Sequence, residues 1–145
     1  MTINKIKKEL KLRTEFDFDS AHLLDGYDGN CKNIHGHRWR VILTIKGNCS
    51  ECDSVGILWD FKKRKILKDL FDHKLIVQCS ESNKEMIDML NGRFNMVGIT
   101  DGNPTAEYLS MYILCWLLED NNKLKYKVRL YESTNSYCEV KSNGY

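Results

Sequence analysis

Three of the four histidines in this 145-residue chain fall in two short strings, Phe18-Asp19-Ser20-Ala21-His22 and Cys31-Lys32-Asn33-Ile34-His35-Gly36-His37. Residues i and i+2 on a strand point to the same face. His35 and His37 therefore present two imidazoles side by side, and Gly36 between them adds no bulk. His22 ends another extended string. If the two strings pair as a hairpin, its ring arrives beside the other two. Single histidines are common on surfaces; three gathered this way are the donor set of a catalytic zinc centre, three imidazoles with a fourth position open. Zinc in such a site polarises an oxygen or lowers the pKa of a bound hydroxyl. The spacing predicts a zinc site built from His22, His35 and His37.

Other reactive groups cluster less tightly. Cys31 stands four residues before His35 and has the chemistry of a fourth ligand, a nucleophile, a base or a spectator thiol; spacing does not choose among them. Asp72-His73 follows a helical stretch. It is either a polar helix end or a carboxylate orienting an imidazole for proton transfer. Glu132 shares a strand face with Val128 and Leu130, where an unpaired carboxylate would cost several kcal/mol. Either the strand has ended there or the carboxylate binds something. Glu107, in the first turn of a helix, is by default a dipole partner. Cys49-Ser50-Glu51-Cys52 is a lone CxxC, read as a turn with two spare thiols, and Cys79, Cys115 and Cys138 as packing residues.

The elements that must position these groups follow from periodicity. Leu12, Thr14, Phe16 and Phe18 alternate with Arg13, Glu15, Asp17 and Asp19, a half-buried strand. A second strand runs from about His35 to Lys46, with Trp39, Val41, Leu43 and Ile45 on one face. Asp60 is placed to cap a helix over 61–71, with Phe61, Ile66, Leu67, Leu70 and Phe71 as its apolar stripe and the lysines solvated. Residues 78–102 read as irregular, with a short helix near 85–90. Asn103-Pro104 reads as the cap and first position of a second main helix, which buries Ala106, Leu109, Ile113, Trp116 and Leu117. Strands around Val128–Leu130 and over 137–141 close the chain. The order ββααββ predicts an α+β fold, a four-stranded antiparallel sheet with two helices on one face, in a single domain over 1–145.

Bulk properties narrow the partners. A net charge of +2 is too small to imply nucleic acid. No apolar run approaches the roughly 18 residues of a membrane span. The lysine-rich start, Met1 to Arg13, lacks the apolar core of a signal peptide. A cytoplasmic protein with reduced cysteines is expected.

The two histidine strings, together with Gly56-Ile57-Leu58-Trp59-Asp60-Phe61, Asp72-His73-Lys74, Asn103-Pro104-Thr105-Ala106-Glu107 and Tyr131-Glu132-Ser133, resemble the 6-pyruvoyl-tetrahydropterin synthase superfamily in order and content. The resemblance implies a tunnelling fold (T-fold), with zinc on His22, His35 and His37. It implies Cys31 as catalytic base with Asp72 and His73 as its proton relay, and Glu132 on the pterin ring with Glu107 and Thr105 near the same pocket. Three residues separate Cys31 from His35, as in the 6-carboxytetrahydropterin synthase branch, which serves queuosine and other deazapurine pathways. The implied substrate is the small molecule 7,8-dihydroneopterin triphosphate, and the implied products are carboxytetrahydropterin, acetaldehyde and triphosphate. A 6-pyruvoyl-tetrahydropterin synthase, or a zinc-stabilised module without turnover, are the alternatives. The family assembles as hexamers with active sites between subunits, so a homohexamer is implied here.

Overall fold

The computed structural model describes residues 9–94, 96–99 and 101–145. Residues 1–8 of the lysine-rich start lie outside them. Strands β1 (Glu9–His22) and β2 (His35–Asn48) form a long antiparallel hairpin. Helix α1 (Lys62–Phe71) leads into β3 (Lys74–Gln78), followed by α2 (Lys84–Asn91), β4 (Met96–Ile99), α3 (Ala106–Asp120), β5 (Lys125–Tyr131) and β6 (Tyr137–Lys141). The sheet order is β4-β3-β1-β2-β5-β6.

The period-two pattern of β1 and β2 is realised. Trp39, Val41, Leu43 and Ile45 are fully buried, while Arg13, Glu15, Asp17 and Asp19 are exposed. Leu67 and Phe71 of α1 and Leu109, Ile113 and Leu117 of α3 join that face in one core with Phe18, Val128 and Leu130. An aromatic file runs through it, with Phe18 stacked between Trp39 and Phe71 at ring separations of 6.0 and 5.2 Å. Truncating a buried aromatic such as Trp39 to Ala costs about 3–5 kcal/mol.

Several expectations need correction. The sheet has six strands rather than four and is mixed, because β3 runs parallel to β1 and β4 parallel to β3. The short helix expected near 85–90 is present as α2, so the described α-helices number three. Around that helix, the stretch 78–102 also contains the end of β3 and the whole of β4, strands of five and four residues, too short for a period to show. Phe61, just before α1, and Ile66 within it are each 51% exposed, because the helix seats itself on Leu67, Leu70 and Phe71. Asp60 does serve the start of α1, its Oδ1 accepting from the Lys62 amide at 2.9 Å. The cap of α3 is Thr105, whose Oγ1 accepts from the Tyr108 amide at 3.3 Å, and not Asn103. Cys79 and Cys115 are exposed; Cys138 alone of the three packs on the core. Cys49 and Cys52 bracket a single 3-10 turn, as expected, and all six thiols are free.

Candidate metal centre and active site

The hairpin register decides the site. His22 stands opposite His35, Ser20 opposite His37 and Phe18 opposite Trp39. Opposed residues share a face, so the stripe that buries Phe18 and Trp39 continues past the core as Ser20, His37, His22 and His35. One donor atom from each histidine lies within 4.8 Å of those of the other two. The His22 ring centre is 4.5 Å from that of His35 and 5.0 Å from that of His37. Trp39 stands edge-on to His22 and His37 at 5.2 and 5.5 Å, forming the floor.

Hydrogen bonds set the tautomers. His22 Nδ1 lies 2.8 Å from the Pro104 carbonyl oxygen, and His35 Nδ1 lies 2.8 Å from that of Asn33. A carbonyl only accepts, so each Nδ1 carries the proton and each Nε2 keeps a lone pair. Those two Nε2 atoms face each other at 3.0 Å. Facing lone pairs repel unless an electrophile lies between them. Burial, partly offset by the bond to Pro104, holds the His22 pKa below its usual 6.5, which favours the neutral ring that can ligate a metal. His37 Nε2 is buried without a hydrogen-bond partner, and so are Ser20 Oγ and Trp39 Nε1 beside it. Three convergent nitrogens, two with outward protons already bound to carbonyls, are the arrangement of metal-ligating histidines. The residues fit a metal ion.

Glu132 follows directly after β5, so the strand has ended and the carboxylate turns to the histidines. Its Oε1 is 3.4 Å from His22 Nε2 and 3.6 Å from His37 Nε2, with the side chain 37% exposed. The carboxylate flagged by its place in an apolar pattern is therefore at the histidine cluster.

Asp72 and His73 form the corner between α1 and β3. Asp72 Oδ1 accepts from the Asp19 amide at 2.9 Å, and the His73 amide donates to the Asp19 carbonyl at 2.6 Å. This two-point grip on β1 holds His73 at φ 58, the one non-glycine residue with positive φ among those described. His73 Nδ1 lies 3.2 Å from Asp72 Oδ2, and its ring is 82% exposed. The bond from the Asp19 amide, helped by His73 and Lys68, keeps the Asp72 carboxyl below its usual pKa. An open groove of about 560 Å³ runs from this corner to His37, lined by Ser20, Gly36, His37, His73, Lys74 and neighbours. That is the size of a small-molecule site.

Cys31 sits in a single 3-10 turn, Asn30–Lys32, half-buried, and does not line this groove. Thr105 is occupied as the α3 cap, and Glu107 is exposed in the first turn of α3. Pro104, which sets the His22 tautomer, was not foreseen from sequence. Its one signal was the Asn-Pro pair, which read instead as a helix start.

A family model described as 6-pyruvoyl tetrahydropterin synthase matches residues 11–143. The chain is 33% identical over 138 residues to a Haemophilus influenzae protein named 6-carboxy-5,6,7,8-tetrahydropterin synthase, covering 89% of this chain and 96% of that one. It is 28% identical over 141 residues to a Rickettsia felis protein of the same name, covering 90% and 99%. Among solved structures, the 6-pyruvoyl tetrahydropterin synthase of Plasmodium vivax superposes with a TM-score of 0.66 at 20% identity, over 94% of this chain and 99% of that one. The Caenorhabditis elegans protein of that name gives 0.64 at 18%, over 94% and 98%. At these identities the structures show the shared fold.

Proposed function

The chain belongs to the 6-pyruvoyl tetrahydropterin synthase family, and on that premise we propose that it is a zinc-dependent 6-carboxy-5,6,7,8-tetrahydropterin synthase. It takes up 7,8-dihydroneopterin triphosphate and one water and releases carboxytetrahydropterin, acetaldehyde and triphosphate, for queuosine or a related deazapurine. The observation that carries the metal-dependent reading is the pair of outward-tied imidazoles, His22 and His35, whose free Nε2 atoms face each other at 3.0 Å. The curated relatives' names support the carboxy branch, as does the three-residue spacer after Cys31.

His22, His35 and His37 hold the ion, which when bound would make the substrate's side-chain hydroxyls more acidic. The Cys31 thiolate takes a proton from the substrate side chain. His73, oriented by Asp72, returns one, and its place in the groove with His37 supports that role. Glu132, partly exposed beside the histidines, accepts N–H groups of the pterin ring, with Thr105 and Glu107 nearby in the pocket. Lys74 lines the groove, and with Lys32 and Arg38 it is a candidate for the triphosphate. By the family resemblance the active site lies between subunits of a homohexamer, so that Cys31 and His73 come from different chains, and the place of Cys31 outside the groove that His73 shares agrees with this. The described sheet ends at β4 and β6, whose outer edges offer backbone groups for pairing with the sheets of neighbouring subunits.

The test is to incubate zinc-loaded protein with 7,8-dihydroneopterin triphosphate and identify the pterin by mass. Carboxytetrahydropterin with acetaldehyde supports the assignment. A pyruvoyl product moves the chain to the other branch, and no turnover by folded, zinc-bound protein refutes the enzyme.

A further inference from the structure

A polar knot lies behind the metal cluster, on residues outside the ligand set. The Asn103 side chain grips the backbone of Asp25 at two points: its Oδ1 accepts from the Asp25 amide at 2.6 Å and its Nδ2 donates to the Asp25 carbonyl at 2.9 Å. The Asp25 carboxylate accepts from the Ser80 hydroxyl at 2.7 Å and from that of Ser82. These bonds hold the Asp25 pKa below its usual range, so the carboxylate is ionised across the neutral range and stays a strong acceptor.

Both ends of this knot lead to the site. Asn103 directly precedes Pro104, whose carbonyl accepts a hydrogen bond from His22 Nδ1, and the Asn103 carbonyl accepts from the Thr105 amide at 2.7 Å. Pro104 is thus held on both sides, and its ring fixes its own φ. On the other side, the Leu24 amide donates to the Cys31 carbonyl at 2.9 Å, closing the loop that carries the thiol one residue before Asp25. Segments 24–31, 80–82 and 103–105 therefore meet at one carboxylate and one amide.

We propose that Asn103 and Asp25 are positioning residues that set the aim of the His22 imidazole through the Pro104 carbonyl and tie it to the Cys31 loop. This rests on the reading that the three histidines hold a metal ion. Outer partners of metal-bound histidines change affinity by about 10–100-fold when removed. Asn103 acts one peptide away from that partner, so the lower end, about tenfold, is expected.

The metal-free full chain would be titrated with Zn2+ against a chromophoric chelator, and the absorption of its Co2+ form recorded. Asn103→Ala should weaken Zn2+ binding by about tenfold and alter the Co2+ absorption, since a turned His22 changes the ligand field. The Ser80→Ala/Ser82→Ala double variant should shift both in the same direction by less. Wild-type affinity and an unchanged Co2+ spectrum in Asn103→Ala overturn the inference, even if its Tm falls. Should Asn103→Ala fail to fold, the serine variant decides by the same two readouts. Failure of the metal reading looks different: wild-type protein binding no Zn2+, or His22→Ala binding it as tightly as wild type, overturns both.

Discussion

His73 offers a sharp separation of catalytic from structural roles, because its backbone is where an L residue is uncomfortable. At φ 58 an L side chain costs roughly 1–2 kcal/mol, a penalty glycine escapes while losing about 0.5–1 kcal/mol of unfolded-chain entropy. The His73 side chain offers little in return: its partner Asp72 is 3.2 Å away and the ring is 82% exposed, where ion pairs are weak. His73→Gly should therefore leave stability unchanged or raise it by up to about 1.5 kcal/mol. His73→Ala keeps the strain and loses a residue type tolerated there, so it should cost about 0.5 kcal/mol. Both variants should lose turnover if His73 returns protons to the substrate. Urea unfolding with unchanged m values measures the first part, and product formation the second. A glycine variant destabilised by more than about 1 kcal/mol would show that the side chain supports the fold. Wild-type turnover in either variant would refute the proton-relay role.

The remaining expectations concern the thiol and the metal. Cys31→Ala should abolish turnover yet bind Zn2+ with wild-type stoichiometry; loss of both together would make Cys31 a ligand. Chelation should silence the enzyme while its far-UV circular dichroism persists, because the core of Trp39, Leu43, Leu109 and Ile113 is built without the ion. Metal at 100 times its Kd should add about 2.7 kcal/mol to the unfolding free energy, and global unfolding on chelation would point to a structural ion. The metal-free protein should lose stability on acidification. Burial lowers the His22 pKa from 6.5, so the unfolded chain takes the proton first. The His22 contribution is complete above pH 6.5 and is lost as pH falls through the folded pKa. Tm followed from pH 8 to pH 5 should fall, and by less in His22→Gln; an equal fall in the variant would dismiss His22 as the cause.

Local pattern carried a large part of this protein. The alternation of Leu12 to Asp19 and of Trp39 to Ile45 specified two strands and their buried faces, because a period of two is a property of neighbours along the chain. The same rule put His35 and His37 on one face, and the stripe Ala106, Leu109, Ile113, Leu117 marked α3. The inward carboxylate of Glu132 was visible as a break in such a pattern. What tertiary structure alone decided depends on partners far apart in sequence. β3 and β4, five and four residues long, are strands because β1 offers its free edge to β3 and β3 in turn offers its own to β4, and nothing in so short a run distinguishes strand from loop. Asn103 looked like a helix cap, but the Asp25 backbone takes both its bonds, and Thr105 caps α3 instead. His73 enters the left-handed region because Asp19 grips the corner from another strand. The histidine cluster itself needed the register that sets His22 against His35, and a carbonyl 82 residues away to turn His22. Residue types and short periods are written locally; the aim of an imidazole is set by whatever folds against it.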